Sequence, residues 1–158
     1  RQLIFTHGGG VPNGGKFKAI LPAGASSWIL PGTDTVLDTP MDYEAVAAIG
    51  STLGSASVIV LDDTADLAWA ALKTTRFFKH ESCGKCTPCR EGTYWMMHVA
   101  ERIHAGDARP EDVALLQEVA RQIQGKCLCA LGEFSTMPVV SAIEQFRADF
   151  DAHITDGR

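Results

Sequence analysis

Thiols recur at every third residue in ESCGKCTPCREGT, the stretch from Glu81 to Thr93, as Cys83, Cys86 and Cys89. A C-x2-C-x2-C run lets one tight loop turn three sulfurs to one side, as a cubane iron–sulfur cluster requires for three of its four irons. The fourth iron then needs a remote thiolate. KCLCALGE, residues 126–133, offers Cys127 or Cys129, which in an extended segment point to opposite sides. Only one should ligate, and geometry barely separates them. Gly84 can take backbone angles closed to other residues, and Pro88 stiffens the turn while removing an N–H that would need a partner.

Two other chemistries compete for these thiols. Cys86, Cys89, Cys127 and Cys129 could make a tetrahedral zinc site, and the chain would then be a zinc-stapled structural or interaction module. That leaves Cys83 idle, and the uninterrupted triple favours iron–sulfur. A Cys–His nucleophile would pair Cys83 with His80, but His80 follows RFFK at a predicted helix end, where a histidine serves as a cap. His7, His98, His104 and His153 fall singly on turns or helix faces and read as surface or packing residues. The Tyr94-Trp95-Met96-Met97 run reads as core packing.

The elements that must position the thiols follow from periodicity. HGGGVPNGG, LPAG and LPGTD punctuate the first forty residues, with KFKAIL and SSWIL as short strands between them. HGGGVPNGGK is not a phosphate loop, because Phe17 follows Lys16 where Ser or Thr is needed, so hairpin turns are expected. MDYEAVAAIG predicts a short helix ended by Gly50, and SASVIVLD a buried strand. A longer helix capped by Asp63 or Thr64 then buries Leu67, Ala70 or Ala71, Thr74 and Phe78 on its way to the cysteines. Beyond them, helices are expected from near Thr93 to Gly106, from Pro110 to Gly125 with Val113, Leu116, Ala120 and Ile123 buried, and from Ser135 or Thr136 with a seam of Val139, Ile143, Phe146 and Phe150. The N-terminal turns of the first and last of these, with Lys85 and Arg90, could offset a cluster's negative charge. Composition shifts near residue 80, which predicts 1–80 as one part and a helical 81–158 as the other.

Bulk properties narrow the partners. The 158 residues carry a formal net charge of -5 and 14 Lys+Arg without a basic run, which argues against nucleic acid. No apolar stretch approaches the roughly 20 residues that span a bilayer, so direct membrane insertion is not expected. The sequence opens with no Met and no secretory signal, and cytoplasmic residence is the expectation. Its five cysteines are odd in number and clustered, which favours metal or redox chemistry over disulfides.

ESCGKCTPCREGT followed by CALGE resembles the C-terminal region of the NADH-binding flavoprotein (51 kDa-type) subunit of respiratory complex I, NADH:quinone oxidoreductase. Diaphorase subunits of NAD-linked hydrogenases and formate dehydrogenases share the module. LDTPMDYEAVAAIGSTLGSASVIVLDD resembles the family's link between its β-grasp-like and cluster domains, and GGKFKAILPAGASS part of the β-grasp domain. The resemblance implies an α+β chain, an incomplete β-grasp-like (soluble ligand-binding type) segment followed by a small helical bundle carrying one [4Fe–4S] cluster. It also implies that the cysteine before Ala-Leu-Gly is the fourth ligand, giving Cys83, Cys86, Cys89 and Cys129, with 129 − 89 − 1 = 39 residues intervening.

By the same resemblance the cluster takes electrons from NADH-reduced FMN and passes them through an iron–sulfur chain toward quinone. The alternatives are the same module in an NAD-dependent formate dehydrogenase or an NAD-reducing hydrogenase. The family binds FMN and NADH in a preceding domain through a loop of the form GRGGAGFPTG, and these residues contain no such motif, so this chain alone is not expected to be catalytic. The implied partners are a small [2Fe–2S] subunit and a large iron–sulfur subunit, peripheral to the inner face of the membrane, or on the matrix side in a mitochondrion.

Overall fold

The structure is a computed structural model describing residues 1–11 and 14–155. Its α+β chain forms two compact units, Arg1–Ala65 and Asp66–Arg158.

The first unit is built on a three-stranded antiparallel sheet of order β2-β1-β3, from β1 (Phe17–Ala25), β2 (Leu30–Pro31) and β3 (Ile59–Asp62). KFKAIL opens β1 as expected, but the strand runs on through LPAG, read as a turn, and of SSWIL only Leu30 lies in β2; Ile20 stands opposite both Leu30 and Val60. Pro31 sits on the edge strand β2, where its missing N–H breaks no ladder. Gly32 is obligatory, since a Cβ there would stand 2.2 Å from the Phe17 carbonyl oxygen. Ile4, Ile20, Leu30 and Leu37 form the core, and Phe17, Val36, Ile49, Val58 and Val60 close over it. A π-helix (Gln2–His7) and two short α-helices complete the unit. In α1 (Asp34–Asp38) the Thr33 hydroxyl accepts the Val36 N–H, and in α2 (Tyr43–Ala48) Asp42 accepts that of Ala45. LPGTD, read as a turn, therefore opens a helix through its capping threonine. Helix α2 ends as expected before Gly50, whose φ of +84° suits only glycine. Of HGGGVPNGG, where hairpin turns are expected, Pro12 and Asn13 lie outside the described residues, and the stretch continues from the π-helix at Gln2–His7 instead of from a strand.

The second unit is helical: α3 (Leu67–Glu81), α4 (Thr87–Ala105), α5 (Asp112–Ile123), α6 (Leu131–Gln145) and α7 (Arg147–Thr155). Helices α3, α4, α5 and α6 pack in a closed ring, each on the next, and α7 lies against α3, α4 and α6. Leu67, Leu72, Met96, Ile103, Val113, Leu116, Ile123, Val139 and Phe150 are fully buried within it. The buried stripe expected on α5 is present at Val113, Leu116, Ala120 and Ile123. Among the described residues every buried side-chain nitrogen and oxygen has a partner. None of the described helices is long and apolar enough to cross a membrane.

Several expected boundaries move. Asp66, not Asp63 or Thr64, caps α3, its carboxylate accepting the Ala68 N–H at 2.8 Å. Asp63 instead accepts the Lys16 N–H. Helix α4 begins at Thr87, not near Thr93, because Thr93 spends its hydroxyl on the Cys89 carbonyl one turn back and lies buried inside the helix. Helix α6 begins at Leu131, not after Ser135 or Thr136. Those hydroxyls donate back to the Gly132 and Glu133 carbonyls, and Pro138 sits within the helix. The seam continues across a break, since Phe146 ends α6 and Phe150 belongs to α7. Of the Tyr94-Trp95-Met96-Met97 run only Met96 is in the core, while Tyr94 and Trp95 face outward. Helix α3, which the composition shift grouped with the first part, packs in the second unit.

Candidate metal centre

The three-cysteine run is divided between a loop and a helix. Cys83 lies in the loop after α3, Cys86 is the N-cap of α4, and Cys89 stands in the first turn of α4. Pro88, read as part of a free loop, occupies that first turn, where its missing N–H is one that would lack an intrahelical partner anyway. Cys86 and Cys89 thus sit at the positive end of a 19-residue helix. Helix α6 starts at Leu131, nearer the second pair than expected.

Gly84 turns the loop at φ +77°, and the Arg90 guanidinium pins that turn by donating to the Gly84 carbonyl at 2.7 Å. Arg90 also pairs with Glu91, so part of its charge is already answered. The Ser82 hydroxyl stands 3.2 Å from Cys89 Sγ and can donate to a thiolate there.

The second pair lies on bends between α5 and α6, not on an extended strand, so the alternation expected of Cys127 and Cys129 does not apply. This loop meets the first directly, with the Leu128 N–H donating to Cys86 Sγ at 3.3 Å. Glu133 steadies it by accepting the Gly125 N–H, and Gln124 donates to Thr136 Oγ1 at 3.0 Å. Close packing of α4 on α5 brings the two loops together. A Cβ at Gly92 would stand 2.6 Å from an Ile123 side-chain carbon, so only glycine permits this approach.

The five cysteines are free, with Cys89 buried, Cys86 and Cys127 half-buried, and Cys83 and Cys129 exposed. Burial pushes the Cys127 thiol up, and the nearby Cys89 and Cys86 push it the same way. Cys127 is packed against α6, where a Cβ at Gly132 would stand 2.5 Å from its sulfur, and it faces the Ile123 carbonyl at 3.9 Å. Soft thiolate donors from two abutting loops at helix N-termini are a donor set that fits an iron–sulfur cluster. His80, expected as a cap, lies exposed in the last turn of α3 and pairs with Glu81, while Ser82 is the C-cap.

One group of residues has no sequence signal. Asp66, His104 and His153, from three different helices, place their ligand atoms within 4.8 Å of one another. The two histidines are single residues on helix faces, and only the packing of α7 joins them.

Residues 69–153 match the family model described as the NADH-ubiquinone oxidoreductase-F iron-sulfur binding region, which is a [4Fe–4S] domain. The chain is 43% identical over 157 residues to the F-type NADH-quinone oxidoreductase protein of Mycobacterium bovis, covering 99% of this chain and 35% of that protein. It is 41% identical to the mitochondrial NADH-ubiquinone oxidoreductase 51 kDa subunit of Aspergillus niger, covering 99% of this chain and 32% of that one. It therefore spans about a third of the length of these relatives. Among solved structures, an NAD+-reducing [NiFe]-hydrogenase in the H2-reduced state matches with a TM-score of 0.78 and 32% identity, over 88% of this chain and 23% of that one. With the thiols gathered where two helices begin and the family model spanning the unit that gathers them, the chain belongs to the NADH-ubiquinone oxidoreductase-F iron-sulfur binding region family.

Proposed function

We propose that Cys83, Cys86, Cys89 and Cys129 hold one [4Fe–4S] cluster, and that the chain is an electron-transfer part of an NADH:quinone oxidoreductase. The observation that carries the reading is the Leu128 N–H bond to Cys86 Sγ, which joins the only two cysteine-bearing loops of the sequence. The choice of Cys129 rests on the CALGE resemblance and on packing: the Cys127 thiol is held against Gly132, whereas Cys129 is exposed at the loop's end.

When bound, the cluster supplies one-electron transfer between FMN reduced by NADH and further iron–sulfur centres leading to quinone. The residues of this chain set its position and potential. Ser82 and the Leu128 amide direct hydrogen bonds at Cys89 and Cys86, and the N-terminus of α4 adds its dipole. All three stabilise negative charge on sulfur and raise the reduction potential. Arg90 and Gly84 hold the loop that carries Cys83.

FMN and NADH would be held by a further domain of the parent subunit. A small [2Fe–2S] subunit and a large iron–sulfur subunit are the partners, with the assembly peripheral to the inner face of the membrane. The hydrogenase match supports a second reading, the same module in an NAD-reducing hydrogenase. The higher identity to the quinone-reducing relatives favours the first.

Anaerobic iron, zinc and sulfide analysis with EPR of the dithionite-reduced chain tests the reading. About four irons and four sulfides with a low-temperature S = 1/2 signal support it. About one zinc, with no sulfide and no signal, replaces it with a zinc-stapled module.

A further inference from the structure

We propose that Asp66, His104 and His153 form a second metal site, taking one zinc-class divalent ion with water completing its coordination. The three ligand atoms converge on one point. Asp66 Oδ2 lies 2.8 Å from His153 Nε2 and 3.7 Å from His104 Nδ1, and the imidazole rings are 5.2 Å apart. Ligands about 2.0–2.1 Å from a tetrahedral zinc ion stand roughly 3.3 Å from each other. The two carboxylate–imidazole separations fall on either side of that value and all three ligand atoms lie within 4.8 Å of one another, so an ion enters by small shifts of side chains that are only partly buried.

Ligand chemistry agrees with the geometry. Two imidazoles and one carboxylate suit zinc and its d-block neighbours and are poor for calcium or magnesium, which take oxygen donors. The carboxylate is already oriented, because Asp66 Oδ1 accepts the Ala68 N–H at 2.8 Å and leaves Oδ2 to face both histidines. Such an outer hydrogen bond fixes a ligand before metal arrives. Three protein ligands leave a coordination position open, and the partial exposure of all three side chains lets water fill it.

The site is separate from the cysteines. Cys86 caps the N-terminus of α4 and His104 lies near its C-terminus, and 104 − 86 = 18 residues at about 1.5 Å each put them roughly 27 Å apart. Asp66 begins α3, His104 ends α4 and His153 lies in α7, so one ion would clamp three helices of the unit. The class of ligand is the bare cation, and no substrate is implied.

The test uses the 158-residue chain carrying its iron–sulfur cluster, so that the thiols are occupied. Equilibrium dialysis against zinc sulfate, with metal counted per chain, should find one zinc beyond the cluster's iron. His104→Ala, His153→Ala and Asp66→Asn should each weaken it by more than about tenfold, the loss already typical of outer-shell partners. Asparagine caps a helix as well as aspartate does, so Asp66→Asn keeps the fold while weakening the ligand. Zinc K-edge absorption on the unaltered chain serves as the check that needs no variant: a nitrogen and oxygen shell without sulfur upholds the site. Sulfur in the zinc shell, or equal zinc binding by the His104→Ala/His153→Ala variant, overturns it.

Discussion

Replacing Asp112 by alanine tests what holds the helical unit together. Its carboxylate is 0% exposed and receives Arg102 Nη2 at 2.9 Å, Arg102 Nε at 3.2 Å, the Arg109 amide at 3.1 Å and Arg109 Nη2 at 3.3 Å. Burial alone would raise its pKa, but the Arg102 hydrogen bond and the Arg109 amide prevail and hold the carboxyl below its ordinary value. Breaking a fully buried pair costs about 3–5 kcal/mol, because the surviving charge is stranded. Here Arg102 and Arg109 are 42% and 65% exposed and rehydrate when the carboxylate goes. What remains is one charge-assisted bond of about 1.5 kcal/mol, one amide bond of about 1, and a few tenths from a lost acid in the first turn of α5.

The expected cost is therefore about 2–3 kcal/mol, near 10–20 °C in Tm for a unit of this size. Asp112→Asn keeps an acceptor for the Arg109 amide and should lose about half as much. Urea unfolding of the cluster-loaded chain under anaerobic conditions reads both. Because the folded pKa is depressed, this stabilisation is full above the unfolded carboxyl pKa of about 3.9 and is lost as pH falls through the folded value. The gap between wild type and Asp112→Asn should then hold from pH 7 to about pH 5 and close only below about pH 4. An Asp112→Ala protein within about 0.5 kcal/mol of wild type at pH 7 would refute the assignment of Asp112 as the tie between α4 and α5.

Cys83→Ala, Cys86→Ala, Cys89→Ala and Cys129→Ala should each abolish the four-iron cluster while Cys127→Ala retains it, as iron counting and EPR will show; loss with Cys127 instead transfers the fourth ligand to that residue. Gly92→Ala should destabilise by about 1–2 kcal/mol despite alanine's better helix propensity, because its Cβ strikes Ile123, and urea titration measures this. Ser82→Ala should lower the cluster's midpoint potential by tens of millivolts in redox titration, since a hydrogen bond to sulfur favours the reduced form, and roughly 59 mV is a tenfold change for one electron. An unchanged potential would show that the Ser82 hydroxyl does not donate to the Cys89 sulfur.

The thiols were legible because chemistry had fixed their spacing, and the amphipathic stripe of α5 because burial fixes a period. Helix starts were less legible wherever a hydroxyl has two uses. Ser135 and Thr136 look like caps in a linear reading, yet within α6 they donate backward to carbonyls three residues earlier. Pro138 reinforced the misreading, since proline is commonest in a first turn. Thr33 shows the opposite case, a capping residue hidden in what reads as a glycine turn. Asp66, His104 and His153 left no trace, because their meeting depends on how α7 lies on α3 and α4, which no local pattern encodes.

The contact of Gly92 with Ile123 bears on how a cofactor gets in. A flexible segment of the 39 residues between Cys89 and Cys129 would lose about 3 kcal/mol in bringing its ends together. Here two antiparallel helices zipped through a glycine notch do that work, and Gly92 and Ile123, which make the notch, are not cysteines. Iron and sulfide would therefore meet donors whose search through space is already over, with only the last few residues of each loop left to adjust. Failure of α4 to seat on α5 would then surface as a biogenesis defect, with apoprotein accumulating though every cysteine is intact.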